Sequence, residues 1–297
     1  MLTSLLVPID GSDASKLALV YAGAIPSERV RLLTVLSDDL AAGMFASAAT
    51  IEHWRSEWLT AVGAMLEEAA KPLREQGRIV EIAIVEGRPA ELIEAHSADV
   101  DLVIMTTRGH GSGRRLLFGS VADRIARSSA APVMLVRGGD DPVTVQPIVR
   151  LVVALDGSTL AEQSLSVASE LATSLGVPVR LVRVVDLVQW SQVANLDASP
   201  VARYAATPET MLGAAREYLE NQEAALAGMG VEVESAVLSG EPSATLNDSL
   251  LPGDILVLTS HGRSGLGRWM LGSVAEKLIT QGRVPVIVVR AKPEHES

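Results

Sequence analysis

Two glycine-rich loops are the part of this sequence whose residue types and spacing best suit chemistry. They read TTRGHGSGRRLLFGS from Thr106 and TSHGRSGLGRWMLGS from Thr259, and in each a glycine is followed, after nine residues, by a Gly-Ser pair. Glycine lets backbone amides approach a phosphate, and the first turn of a helix presents N–H groups without intrahelical partners. Both loops contain arginines and no acidic residue, which favours an anion. We therefore predict two phosphate sites, at Gly109, Gly119, Ser120 and Val121 and at Gly262, Gly272, Ser273 and Val274.

The serines of these loops also fit a purely structural role. Ser120 with Asp123, and Ser273 with Glu276, have the spacing of capping boxes, so each serine is a candidate cap for the helix that follows. A hydroxyl can cap a helix and face a phosphate at once, so the two roles are compatible. The sequence contains no GxxxxGK[ST] motif, and its GxG arrangements do not follow the first strand, which argues against Walker and dinucleotide loops.

The chain is an internal repeat, and this explains why the loops occur twice. LLVPIDGS from Leu5 returns as LVVALDGS from Leu151, and RVRLLTVLSD from Arg29 returns as PVRLVRVVDL from Pro178. Seven further residues recur 153 positions later, namely Gly87, Thr106, Gly109, Gly119, Ser120, Pro132 and Arg137. The turn-rich, acidic segment between the halves reads as a linker. We predict domains over residues 1–138 and 148–297, joined by a linker over 139–147.

Within each half, short β-branched runs alternate with helical patterns. Helices are predicted over 13–24, 52–76, 88–97 and 120–129, and again over 159–175, 208–228, 241–250 and 273–282. Strands that are apolar on both faces and alternate with helices are typical of right-handed βαβ units and a covered parallel sheet. The predicted fold class is α/β, with two tandem, doubly wound, five-stranded parallel sheets of Rossmann-like type. Ligands of such sheets bind beyond the carboxyl ends of the strands, where both loops and the aspartates Asp10 and Asp156 fall.

Composition narrows the function classes. The formal net charge of −11 disfavours a nucleic-acid partner, because like charges repel a polyanionic backbone. The absence of cysteine excludes disulfides, zinc–thiolate sites and a cysteine nucleophile. No run of 18 apolar residues occurs and the start lacks signal-peptide features, so we expect a cytoplasmic protein without membrane contact.

Each half resembles a universal stress protein domain, and the resemblance covers nearly the whole chain. The ATP-binding members of that family carry G-x2-G-x9-G-[ST], whose latter part matches Gly109 with Gly119-Ser120 and Gly262 with Gly272-Ser273. The first glycine of the pattern is replaced by Thr106 and Thr259, whose hydroxyls are candidates to bind the ribose. The resemblance implies a fold like that of the adenine nucleotide alpha hydrolases and ATP as ligand, with or without Mg²⁺.

The resemblance also assigns the base end of the site. It places Asp10 and Asp156 beside the adenine, and it has the backbones of Val35 and Val184 read the edge of the base. A structural alternative for the aspartates is an Asx turn or a helix cap at Asp-Gly-Ser. For the valines, the alternative is core packing of their side chains.

The function implied is that of a nucleotide-dependent regulator or sensor in stress response, with one ATP per domain and little or no hydrolysis. Two alternatives stay open at this stage, a slow ATPase or nucleotidyl transferase and a nucleotide-free interaction module. The resemblance further suggests that the last strands of the two halves pair as an intrachain pseudo-dimer, or with a second chain as a homodimer. Residues 37–51 and 186–207 differ between the halves and are candidate lids or surfaces for an unknown protein partner.

Overall fold

The computed structural model describes residues 2–37, 48–107, 118–137, 146–187, 207–260 and 271–291. The chain divides into two compact units, Met1–Val145 and Gln146–Ser297. Each unit repeats the same order of strands and helices, as the internal repeat predicts.

The first unit contains five strands and four α-helices among its described residues. Its strands are β1 (Ser4–Pro8), β2 (Arg29–Ser37), β3 (Ile79–Gly87), β4 (Leu102–Thr106) and β5 (Val133–Val136). Its helices are α1 (Asp13–Ala24), α2 (Ala48–Glu75), α3 (Pro89–His96) and α4 (Ser120–Ser128). The helix α2 begins at Ala48, before the predicted start at residue 52.

The second unit has the same elements among its described residues. Its strands are β6 (Arg150–Ala154), β7 (Val179–Val185), β8 (Val233–Ser239), β9 (Asp254–Thr259) and β10 (Val286–Val289). Its helices are α5 (Thr159–Leu175), α6 (Pro208–Ala227), α7 (Pro242–Ser249) and α8 (Ser273–Gln281).

The strands of each unit form a parallel sheet. The order is β3-β2-β1-β4-β5 in the first unit and β8-β7-β6-β9-β10 in the second. In both units the second and third strands lie on one side of the first strand, and the fourth and fifth lie on its other side. The first strand is therefore placed between the second and the fourth. This confirms the predicted α/β class with a doubly wound parallel sheet in each half.

Aliphatic side chains cover both faces of these sheets. All residues of β4, β5 and β10 are buried, and so are the three central residues of β1 and β6. Ala122, Ile125 and Ala126 of α4 are buried at i, i+3 and i+4, which is the spacing of one helix face against a core. Contacts join α1 to α2 and α3 to α4, as expected when right-handed crossovers place two helices on each face.

Candidate functional site

A backbone hydrogen bond closes the base of each glycine-rich loop. The Gly119 N–H donates to the Thr107 carbonyl at 2.7 Å, and in the second unit the Gly272 N–H donates to the Ser260 carbonyl at 2.8 Å. Thr107 and Ser260 are held in turn by the neighbouring strand, because their N–H groups donate to the carbonyls of Val136 and Val289 at 2.9 Å. The end of the fourth strand and the start of the last helix are thus fixed beside each other in both units.

In both units a glycine stands where the start of the last helix comes close to the carbonyl group after the fourth strand. A Cβ on Gly119 would lie 3.1 Å from the Thr107 carbonyl oxygen, and one on Gly272 would lie 3.5 Å from the Ser260 carbonyl oxygen. The first distance is tighter than ordinary contact and the second is not. A side chain is therefore sterically disfavoured at Gly119, whereas at Gly272 this contact does not by itself require glycine.

The helix start corrects the capping-box hypothesis for the serines. The N-cap residues are Gly119 and Gly272, neither helix has a side-chain cap hydrogen bond, and Ser120 and Ser273 are already the first helical residues. The first intrahelical bonds run from Asp123 N–H to the Gly119 carbonyl and from Glu276 N–H to the Gly272 carbonyl, both at 2.9 Å. A serine at the first helical position is one place too late to cap in the manner that a capping box requires.

These helix starts present the same groups to solvent in both units. Ser120 and Ser273 are exposed, and Val121 and Val274 are half-buried. The N–H groups of the first three helical residues have no intrahelical partner, since the first such bond begins at the fourth residue. Together with the positive end of the helix dipole, they suit an anion.

The other predicted loop residues are only partly described. Thr106 and Thr259 end β4 and β9 and are buried, with 7% and 8% of their surfaces exposed. Gly109 and Gly262 lie outside the described residues, as do the loop arginines Arg108, Arg114, Arg115, Arg263 and Arg268. The candidate lids at 37–51 and 186–207 also fall mostly outside the described part of the chain.

The aspartates that follow the first strand of each unit form Asx turns. Asp10 Oδ1 accepts from the Ser12 N–H at 3.0 Å and from the Ser12 hydroxyl at 2.6 Å. Asp156 Oδ1 accepts from Ser158 in the same way, at 2.9 and 2.6 Å. The structural alternative at Asp-Gly-Ser is therefore confirmed as an Asx turn, and the serines, not the aspartates, are the N-caps of α1 and α5. A role of these carboxylates beside a base stays a prediction.

The backbones of Val35 and Val184 point toward the side of the sheet where the first strand has ended. The carbonyls of Leu33 and Val182 accept from the N–H groups of Ile9 and Leu155 at 2.8 and 2.9 Å, so they face the first strand. Groups two residues apart in a strand point the same way, which directs the Val35 and Val184 backbones to that side as well. The strand β1 ends at Pro8 and β6 ends at Ala154, before either valine is reached.

Adjacent strand ends bring the predicted groups of each unit to one edge. In the first unit the Asp10 turn follows β1, Val35 lies near the end of β2 and the glycine loop follows β4, and β1 lies between the other two strands. The second unit repeats this arrangement with Asp156, Val184 and the loop after Thr259. Each unit thus brings a carboxylate, strand-end backbone groups and helix-start amides to one edge of its sheet.

The two candidate sites differ beside the aspartate turn. In the second unit the Arg183 guanidinium carbon lies 4.8 Å from the ring centre of Tyr218, and a Cβ on Gly157 would lie 2.8 Å from Arg183 Nη2. Burial, followed by the nearby carboxylate of Glu162, raises the pKa of Tyr218. At the equivalent repeat positions the first unit has Thr34 and Met65, and a Cβ on the matching Gly11 would lie 3.3 Å from Met65 Sδ. Sequence reasoning missed this difference, although comparing the halves position by position would have found it.

No described helix is both long and apolar enough to cross a membrane. Among the same residues, no group of three or more His, Cys, Asp or Glu side chains is placed to hold a metal ion.

Comparison with known proteins gives a consistent result for both units. A family model described as the universal stress protein family matches residues 1–137 and 148–290. Universal stress protein Rv1996 of Mycobacterium tuberculosis is 26% identical over 308 residues, which cover 96% of this chain and 94% of the relative. Universal stress protein Rv2005c of the same organism is 28% identical over 213 residues, or 71% of this chain and 69% of the relative. The crystal structure of a universal stress protein from Archaeoglobus fulgidus has a TM-score of 0.68 at 22% identity and covers 98% of this chain and 97% of its own, a likeness of fold.

Proposed function

The chain belongs to the universal stress protein family over both of its units, and from this premise we propose that each unit binds one ATP, with or without Mg²⁺, as a regulatory ligand. The bound nucleotide stabilises one conformation of the surrounding surface, and that conformation is the signal in a stress response.

The matched helix start is the observation that carries this proposal. The same glycine N-cap, the same backbone bond to the strand end and the same exposed serine occur in both units. In both units these helix-start amides lie beyond the carboxyl ends of a parallel sheet, where ligands of such sheets bind. The phosphates are assigned to Gly109, Gly119, Ser120 and Val121 and to Gly262, Gly272, Ser273 and Val274, and the ribose to the hydroxyls of Thr106 and Thr259.

The base end of the nucleotide is assigned to the aspartate turns and the strand-end backbones. An exocyclic amine donates to the carboxylate of Asp10 or Asp156, and the edge of the base meets the backbone of Val35 or Val184. Because the aspartates serve this end, they are far from the terminal phosphate in the proposed pose. Transfer of that phosphate needs a group that orients the attacking oxygen, and we therefore propose storage of ATP with little or no turnover.

Stoichiometry tests the proposal directly. We expect equilibrium dialysis with ATP and Mg²⁺ to give two nucleotides per chain, and Gly119→Glu or Gly272→Glu to give one. The added carboxylate repels phosphate at the helix start, and at Gly119 the new Cβ also crowds the Thr107 carbonyl. Gly63→Glu and Gly213→Glu are matched controls, because both glycines lie in helices with nothing within 4 Å of an added Cβ. Two ATP molecules retained in either site variant would contradict the assignment.

The same samples distinguish the two other functions. Chromatography of the nucleotides after an hour is expected to show ATP almost unchanged, whereas turnover within minutes would indicate an ATPase or nucleotidyl transferase. No binding by the unaltered chain would indicate an interaction module that does not use nucleotide.

A further inference from the structure

A cavity of about 330 Å³ opens at the amino-terminal ends of the strands of the first unit. This end of the sheet is opposite to the candidate nucleotide site, which lies at the carboxyl ends. Polar and charged side chains dominate its lining, with Thr3, Ser4, Glu28, Arg29, Arg31, Glu81 and Asp99 among them. Its volume is within the range of about 300–1,000 Å³ that small-molecule sites occupy.

The second unit contains the same strand ends in the same register. Leu5 pairs with Leu102 as Leu151 pairs with Ile255, and Arg31 pairs with Glu81 as Arg180 pairs with Glu234. Ser4 of the first unit therefore has the same place in its sheet as Arg150 of the second. Asp101 likewise corresponds to Asp254.

In the second unit a guanidinium is bound at this place by the chain itself. Arg150 Nε and Nη2 donate to the two carboxylate oxygens of Asp254 at 3.1 and 2.9 Å, and Arg150 Nη1 donates to Glu234 Oε1 at 3.0 Å. The side chain of Asp254 is fully buried, and that of Arg150 is 17% exposed. The hydrogen bonds to Asp254 raise the pKa of Arg150, so the guanidinium stays charged. Carboxylates from β9 and β8, which lie on opposite sides of the strand that carries Arg150, thus hold a planar cation.

In the first unit the two carboxylates remain, but the arginine is replaced by Ser4. Asp101 Oδ2 accepts from the N–H and hydroxyl groups of Thr3 and Ser4 at 2.7–3.2 Å, whereas no described residue donates a hydrogen bond to Oδ1. Burial raises the pKa of Asp101, but these hydrogen bonds outweigh it and lower the pKa overall, so the carboxylate is ionised at neutral pH. Glu81 meets Arg31 Nε through Oε2 at 3.1 Å.

The first unit also carries acids that the second lacks. Glu28 and Asp99 line the cavity, and their repeat equivalents are Val177 and Pro252. The first unit, which lacks the internal arginine, thus has more acidic surroundings at this place than the second. This difference is expected if the first unit binds a cation from solution. Arg29 also lines the cavity, and its positive charge suits a ligand whose other end is anionic.

We propose that this cavity binds a small molecule bearing a guanidinium group, such as free arginine, which lies beside Ser4 and Glu81 in the place that the Arg150 side chain fills in the second unit. Asp101 is not itself among the lining residues, but it accepts hydrogen bonds from Thr3 and Ser4, which are.

Calorimetric titration with L-arginine and L-citrulline tests the proposal. The two amino acids have nearly the same shape, but citrulline carries a neutral urea group in place of the guanidinium. We expect one arginine per chain and an affinity for citrulline at least tenfold lower. Equal binding of the two, or no binding of arginine, would overturn the proposal.

Two variants locate the site. Ser4→Arg gives the chain its own guanidinium in the cavity and is expected to lower the affinity for arginine at least tenfold. Ser166→Arg, on the exposed face of α5, is the control and is expected to leave that affinity unchanged. Glu81→Gln, which keeps Ser4, is expected to weaken arginine binding several-fold without affecting ATP stoichiometry. Arginine binding that survives both Ser4→Arg and Glu81→Gln would place it elsewhere and refute the assignment.

Discussion

At the scale of single residues, one oxygen of each turn aspartate is already committed to structure. Oδ1 of Asp156 accepts two hydrogen bonds from Ser158, and Ser158 then caps α5 by accepting from the Ala161 N–H at 3.2 Å. Asp10 and Ser12 repeat the arrangement in the first unit. The turn therefore positions the carboxylate through its own hydrogen bonds.

Substitution of Asp156 separates these two roles. Asp156→Ala removes both acceptor bonds and is expected to destabilise the chain by about 1–2 kcal/mol, at about 1 kcal/mol net for each hydrogen bond. Asp156→Asn keeps an acceptor for Ser158 and is expected to change stability by less than about 0.5 kcal/mol, but its amide N–H₂ cannot accept from the adenine amine. Urea unfolding measures the first effect, and ATP titration in a Gly119→Glu background measures the second. Unchanged ATP affinity in Asp156→Asn would remove the aspartate from the site.

At the scale of elements, the two units start their third helix differently. Both helices follow a glycine with positive φ, Gly87 at 140° and Gly240 at 143°, and both have proline in the first turn. The N-cap of α7 is Glu241, whose carboxylate accepts from the Ala244 N–H at 2.7 Å, whereas the N-cap Arg88 of α3 makes no side-chain cap bond. The hydrogen bond from Ala244, then that from Ser243, lowers the pKa of Glu241 to about 2.

This lowered pKa predicts a pH-dependent contribution to stability. A carboxylate whose pKa is lower in the folded state stabilises it above the unfolded-state pKa of 4.5, and the contribution is lost as the pH falls toward about 2. We expect Glu241→Gln to cost about 1 kcal/mol or less at pH 7, because the side chain is half-exposed, and to cost nothing near pH 2. Unfolding curves between pH 7 and 2 test this. Arg88→Gln, at the equivalent repeat position, is the control and is expected to show no such loss over this range.

At the scale of the whole molecule, the chain consists of two units with one plan. Within its own unit, each of the last strands, β5 and β10, has a neighbour on one side only, yet both strands are buried along their whole length. An apolar edge strand needs cover to avoid association with other chains. The pairing of the halves as an intrachain pseudo-dimer stays a prediction, as does a homodimer.

Cleavage of the linker tests the pseudo-dimer. A protease site inserted within residues 139–147 and cut after folding is expected to leave both halves in one peak on size-exclusion chromatography, since noncovalent pairing survives loss of the peptide bond. Separate elution of the halves would contradict the prediction. The mass of the uncut chain by light scattering, compared with 31.3 kDa, shows in the same experiment whether a homodimer forms.

The sequence by itself determined the repeat, the alternation of strands and helices, and the fold class. These features are local or periodic, so they can be read from runs such as DLVIMT and from residues that recur between the halves. It also located both glycine loops, because the spacing from Gly109 to Gly119 is unusual and occurs twice. Domain limits and site roles stay predictions.

Only the tertiary structure decided what each side chain does at these places. It moved the N-cap from Ser120 to Gly119, because the Thr107 carbonyl fixes where the helix begins. It placed Arg183 against Tyr218, and it joined Arg150 to Asp254 across 104 residues, while Ser4 left a cavity at the equivalent place. Such contacts depend on how the fold brings together residues that are far apart in the chain. Periodicity describes only neighbours in sequence and composition describes no positions, so neither encodes these contacts.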